Sequence, residues 1–302
     1  MSFVEEILDS LAGRLPCGYH AGGPASSEPT ALAVMALSAQ GRHLAAAKGI
    51  GWLAELQAAD GSVGPTASQA TPGWPTSLAV LAAQYAADSG GALPTTAKRF
   101  EIDRAVGWIL QTRGEALPRT SEMGHDMTLV GWPWVENTHS WIEPTALHVL
   151  ALKAVGRGDH PRAREAVRLM IDRLLPDGGC NYGNTVVMNQ VLRPHLQPTG
   201  LTMLALAGET NADPRIAKSL NYLARELSPR TPAASLAYGL MGLAAHGWPQ
   251  DSANSWLEAA YRRTIALGSS PHRLALIALA AMDAQSPLNV RNRHGQRATA
   301  AV

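Results

Sequence analysis

Two glutamates sit in near-identical surroundings far apart in the chain, Glu28 in SSEPTALAVMAL and Glu143 in SWIEPTALHVLAL. Carboxylates that converge over an apolar space suit general acid and base chemistry, because burial and mutual repulsion raise one pKa while the other group stays ionised. A carboxylate at a helix start is also favoured by the helix dipole, by about 0.3 to 1 kcal/mol, so simple capping competes with a chemical role at each position. Trp74 in GWPTSLAVLAA and Gln197 in LQPTGLTMLAL hold the same place before a proline. These four residues are expected around one opening.

Glu143 is the stronger candidate because it follows GWPWVENTHSW, whose Trp132, Trp134 and Trp141 offer faces for stacking or for stabilising a cation. His139 lies in the same stretch, and histidine carries protons near neutral pH. His20 and His195 fall in two other loops, and Tyr238 and His148 in apolar helical stretches that can line the same space. The spacing Cys17-x-x-His20 suits metal ligands, and Cys180 or an acid across the opening would complete a tetrahedral set. Cysteine is by default a small core residue, however, and no metal or other cofactor is expected. GGPASSE follows no strand and makes no phosphate loop, although helix N-termini gathered at one end would favour an anionic group, with Arg230 and Arg273 nearby.

The elements that must position these residues repeat. Aligned on proline, SEPTALAVMAL (Pro29), GWPTSLAVLAA (Pro75), IEPTALHVLAL (Pro144), LQPTGLTMLAL (Pro198), RTPAASLAYGLMGLAAHG (Pro232) and SSPHRLALIALAAM (Pro271) are six copies of one helix type. Proline suits a helix's first turn, and the threonine beside it is expected to satisfy the free amides there. The nearly uncharged run that follows implies burial on most faces. Six amphipathic segments alternate with these, such as PRAREAVRLMIDRLL and PRIAKSLNYLAREL, as expected of helices with one wet side. The alternation marks a helical repeat array. Inner helices this dry favour closure, so the fold expected is all-α, a closed (α/α)6 toroid of six inner and six outer helices over residues 1–284, with 285–302 a flexible tail or strap. Connections into the inner helices, four of them long, should all cross one end and roof it.

With 46% hydrophobic residues and a net charge of +1, the chain can bury a large core and has no pull toward nucleic acid or anionic membrane. The acidic N-terminus and the absence of a long apolar run predict a cytoplasmic protein with no transmembrane segment. Two cysteines are too few for a disulfide framework, and the sequence carries no signal for an oligomeric state.

AKGIGWLAELQAADGSVG resembles the QW repeat of squalene-hopene and oxidosqualene cyclases, with Gln57 and Gly61 in place and Val63 where the tryptophan belongs. AVGWILQTRG, with Gln111 and Gly114, and LLPDGGCNYGN, with Cys180 in the tryptophan position, are partial copies. The resemblance runs from Leu44 to Met282 and implies the toroid of terpenoid cyclases and protein prenyltransferase β subunits. The family's Asp-x-Asp-Asp is absent, and its zinc-binding Asp-x-Cys is met only by Asp177-Gly178-Gly179-Cys180, one residue too long. Few aromatics remain to line a carbocation cavity. The function expected is an enzyme acting by acid and base chemistry on a small apolar, isoprenoid-type ligand. The alternatives are a carbohydrate-active (α/α)6 enzyme and a non-catalytic binding toroid.

Overall fold

A computed structural model describes residues 2–90, 99–119 and 123–290. Twelve α-helices lie among the described residues: α1 (Phe3–Ala12), α2 (Ser27–Ala39), α3 (His43–Leu56), α4 (Thr76–Asp88), α5 (Ile102–Gln111), α6 (Ile142–Ala154), α7 (Pro161–Asp172), α8 (Leu196–Leu206), α9 (Pro214–Glu226), α10 (Ala233–Ala245), α11 (Ala253–Ala266) and α12 (Pro271–Ala281). The even-numbered helices pack on one another in chain order from α2 to α12, and α12 also packs on α2. The odd-numbered helices lie against their even-numbered neighbours, with α1 on both α12 and α2.

Burial follows the composition. Every residue of α6 is buried, and so is nearly all of α2, whereas α9 buries only Ser219, Leu220 and Leu223. An even-numbered helix touches partners on all sides and must be apolar all round, while an odd-numbered one keeps a charged outer face. Small residues set the tightest approach. A Cβ on Gly200 of α8 would stand 2.5 Å from the backbone carbon of Tyr238 on α10, so only glycine allows those helices to come so close.

The prolines do not share one helical position. Pro29, Pro144 and Pro198 are third residues of α2, α6 and α8, Pro75 and Pro232 are N-caps of α4 and α10, and Pro271 is the first residue of α12. The threonines also act differently from expectation. Instead of capping its own helix, each accepts a backbone amide from the preceding loop: Cys17 N–H to Thr30 Oγ1 (3.1 Å), Val63 to Thr76 (2.8 Å), Trp132 to Thr145 (3.0 Å) and Cys180 to Thr199 (3.0 Å). Buried amides need partners, and this repeated bond fastens each long loop to the helix it enters.

The QW-like segments are structural turns. Gln57 bridges to Val63, and Leu174 to Cys180, in matching antiparallel pairs. Gly61 (φ 96°) and Gly178 (φ 94°) turn within them, where a Cβ would strike the backbone of Arg104 on α5 and of Lys218 on α9. Gln57 closes the first turn by donating Nε2–H to the Glu101 carbonyl (3.0 Å) and accepting the Glu101 amide (2.8 Å).

One feature departs from an all-helical chain. Strands β1 (Val186–Val187) and β2 (Gln190–Val191) form a short hairpin turned by Met188 and Asn189, both at positive φ. The segment after α12 begins packed, with Leu288 and Val290 buried and Ser286 Oγ donating to Met241 Sδ (3.2 Å). Residues 291–302 of the expected tail, and most of the α4–α5 connection, lie outside the described residues. No helix among the described residues is long and apolar enough to cross a membrane.

Candidate functional site

The connections entering the even-numbered helices run over 13–26, 57–75, 112–141, 173–195, 227–232 and 267–270, and bonds among their described residues brace neighbouring ones. Ser27 N–H donates to the Pro65 carbonyl (2.9 Å), and Ile142 N–H to the Tyr182 carbonyl (2.8 Å), so each helix start is tied to the next loop round. Glu28, Glu143, Gln197 and His272 are the second residues of α2, α6, α8 and α12.

Glu28 holds two partners. The Tyr19 hydroxyl donates to Oε2 (2.5 Å), and His272 Nε2 lies 3.3 Å from Oε1. Burial pushes this carboxyl up, but His272 and the Tyr19 hydrogen bond outweigh it and hold Glu28 below the usual carboxylate range. Glu143, 9% exposed, accepts a hydrogen bond from Gln197 Nε2 (2.9 Å). Burial raises Glu143, the Glu28 charge adds to the rise, and Gln197 only partly opposes it. One carboxylate is thus stabilised as the anion, and the other is biased toward the acid.

The same two charges reach further groups. Tyr238, 3% exposed, is pushed well up by burial first and then by Glu28 and Glu143. Cys180 is raised to about 12 by burial, with Glu143 adding to it, and Tyr182 is raised by burial and then by Glu143. The two carboxylates thus act electrostatically on the phenols of Tyr238 and Tyr182 and on the Cys180 thiol. Trp74 and Trp134, from different loops, meet edge to face with ring centres 4.8 Å apart.

Trp132 and His148 are built into the core. Trp132 is wholly buried, donates its indole N–H to the Ile109 carbonyl (2.8 Å), stacks on His148 (5.0 Å) and carries Arg162 over its ring (4.7 Å). It wedges the longest loop in place and presents no face to a ligand. His148 Nδ1–H donates to the Pro144 carbonyl (2.7 Å), and burial drives its pKa down to about 4, so it is a neutral wall residue. His139 packs on Trp141 (4.6 Å) and lines a water-sized pocket of about 10 Å³ with Glu115, His125 and Arg173. His195 caps α8 against the Tyr182 ring (5.0 Å), and both His195 and His20 are exposed.

Burial lifts the Cys17 thiol to about 11, and no group of three or more His, Cys, Asp or Glu among the described residues is placed to hold an ion. Tyr19, Tyr182 and His272 were not among the candidates that sequence reasoning picked out. Aligning on proline hid His272, because Pro271 stands two positions earlier in its helix than Pro29 or Pro144 does.

No protein-family model matches the chain, and no curated protein matches it. Solved structures share its fold. A glycosidase in complex with glucose aligns with a TM-score of 0.56 at 12% identity, over 95% of this chain and 97% of that one. Alpha-2-macroglobulin of Salmonella, reacted with methylamine, aligns at 0.53 and 14% identity over 92% of this chain. A native alpha-2-macroglobulin fragment from Escherichia coli aligns at 0.51 and 14% identity over 93%. The chain spans only 17% of the Salmonella protein and 42% of the Escherichia coli fragment. At these identities the likeness is one of fold, an α/α-toroid-like helical architecture. The resemblance to terpenoid cyclases gains no support from a family model.

Proposed function

We propose that the chain is an acid–base enzyme built on a closed (α/α)6 toroid, with Glu143 as proton donor and Glu28 as its ionised partner at the loop-covered end. The packing of α12 on α2 supports closure. The observation that carries the chemistry is the opposite tuning of two carboxyls that feel one another's charge, which separates an acid from a base at one pH. Glu143 delivers its proton to a leaving oxygen. Glu28 takes a proton from an attacking water or steadies developing positive charge.

The substrate class that fits best is a small carbohydrate-type molecule. The carboxylates stand among the hydroxyls of Tyr19, Tyr182 and Tyr238 and the Gln197 amide, groups that pair with sugar hydroxyls, and the Trp74–Trp134 pair offers apolar faces for a sugar ring. An apolar, isoprenoid-type substrate is the second reading, favoured by even-numbered helices as apolar as α10, with its run of Leu236, Leu240 and Leu243. A cytoplasmic setting accords with two buried, unpaired thiols.

The test incubates purified protein with a panel of aryl glycosides and labelled oligosaccharides, and in parallel with polyprenyl diphosphates, following consumption by mass spectrometry. Turnover of a glycoside, lowered about 100- to 10,000-fold in Glu143→Gln, supports the proposal. Turnover of a polyprenyl substrate instead, with the same loss, transfers the carboxylate roles to the second reading. Turnover unaffected by Glu143→Gln and Glu28→Gln overturns both.

A further inference from the structure

Glu28 is reached from both ends of the chain. Tyr19 belongs to the α1–α2 loop and His272 to α12, and their rings lie against one another with centres 5.1 Å apart. Ser270 Oγ donates to the Tyr19 carbonyl (2.6 Å), Arg14 Nη1 to the Ser269 carbonyl (3.2 Å) and the Tyr261 hydroxyl to Glu6 (2.6 Å), so the junction of the last and first repeats is stitched by side chains on both sides. Each oxygen of Glu28 therefore faces a partner from a different element, and the carboxylate cannot turn without losing one.

We infer that His272 is a positioning residue for Glu28, acting across this junction to hold the carboxylate ionised and in one orientation. The inference rests on the reading of Glu28 as the ionised partner. His272 Nε2 lies 3.3 Å from Oε1, and with both side chains 17% exposed little solvent screens the pair. The groups around Glu28 are Tyr19 from the loop and His272 from α12, with Tyr238 on α10 and Glu143 on α6 feeling its charge. The helices α1, α3 and α4 also pack on α2, and the groups that shift Glu28 belong to none of them, neither to Glu5, Glu6 and Asp9 of α1 nor to the titratable residues of α3 and α4. His272 shares with Glu28, Glu143 and Gln197 the second position of its helix, so the same feature of the repeat that supplies the acids also supplies the group that tunes one of them.

The test is a carboxyl-carbon NMR titration of ¹³C-glutamate-labelled protein, with the Glu28 resonance identified by its loss in Glu28→Gln. His272→Gln raises the Glu28 midpoint by about 1 to 3 pH units, as expected when a close partner that favours the carboxylate is removed. His272→Lys, which places a permanent positive charge there, brings the midpoint back. Tyr261→Phe breaks the stitch to Glu6 at the same junction without touching either partner of Glu28, and leaves the midpoint where it is. An unmoved midpoint in His272→Gln, or an equal rise in Tyr261→Phe, overturns the inference. Should His272→Gln fail to fold, His272→Asn takes its place, and no rise in its midpoint overturns the inference equally. The midpoints are read without substrate, so the result is independent of whether any glycoside is turned over.

Discussion

Replacing Glu143 with glutamine should make the protein more stable at neutral pH while removing its proposed activity. Glu143 is 9% exposed, and burial together with the nearby Glu28 charge raises its pKa above the value it has in the unfolded chain. The sign follows from linkage. A carboxyl whose folded pKa is raised supports folding while it is protonated, at pH below its unfolded pKa, and that support is lost as pH climbs through the folded pKa. Above the unfolded pKa the folded protein therefore carries the cost either of holding the proton or of ionising a desolvated, repelled group, up to about 1.4 kcal/mol for each pH unit of upward shift. Glutamine keeps an oxygen to accept the Gln197 amide hydrogen bond and discards the charge. A gain on the order of 1 kcal/mol, or about 2 °C in Tm for a chain of this size, is expected. Urea unfolding of wild type and Glu143→Gln at pH 7 and again near pH 4 checks it. The variant's advantage should be present at pH 7 and shrink toward pH 4. A variant less stable at pH 7, or one whose advantage is the same at both pH values, would refute the reasoning.

Glu28→Gln should behave oppositely. The depressed pKa of Glu28 contributes stability above its unfolded pKa that is lost as pH falls through the folded one, so the variant loses about 1 to 3 kcal/mol at pH 7 and little in acid by the same urea assay. Thr145→Val removes the acceptor of the Trp132 amide and leaves a buried donor unpaired, costing about 1 to 3 kcal/mol, with tryptophan fluorescence reporting loosening of the 112–141 loop. Gly200→Ala sets a methyl 2.5 Å from the Tyr238 backbone carbon and should cost about 1 to 3 kcal/mol in thermal unfolding. Unchanged stability in Thr145→Val or Gly200→Ala would remove the fastening or the close helix approach from the account.

The helices were legible in the sequence because burial on all sides and burial on one side leave different patterns, and the alternation of PRAREAVRLMIDRLL with runs such as LQPTGLTMLAL carries that difference directly. Glu143 and Gln197, which hold equal places in neighbouring copies, are joined by a hydrogen bond of 2.9 Å. Proline proved a poor ruler, because its fixed φ fits an N-cap, a first and a third helical residue alike, and His272 was missed through that tolerance. Trp132 could not be told from a ligand-facing ring by type alone, because a large flat apolar side chain serves a core wedge equally well. The hairpin at 186–191 left little trace, as its strands are two residues long and its turn has no glycine.

The central claim, two carboxyls tuned apart and aware of one another, is tested most directly by titrating Glu28 and Glu143 separately in the same sample by carboxyl-carbon NMR. The account predicts that Glu143 titrates above Glu28 and that Glu28→Gln lowers the Glu143 midpoint. Coincident midpoints, a reversed order, or a Glu143 midpoint indifferent to Glu28→Gln would contradict it.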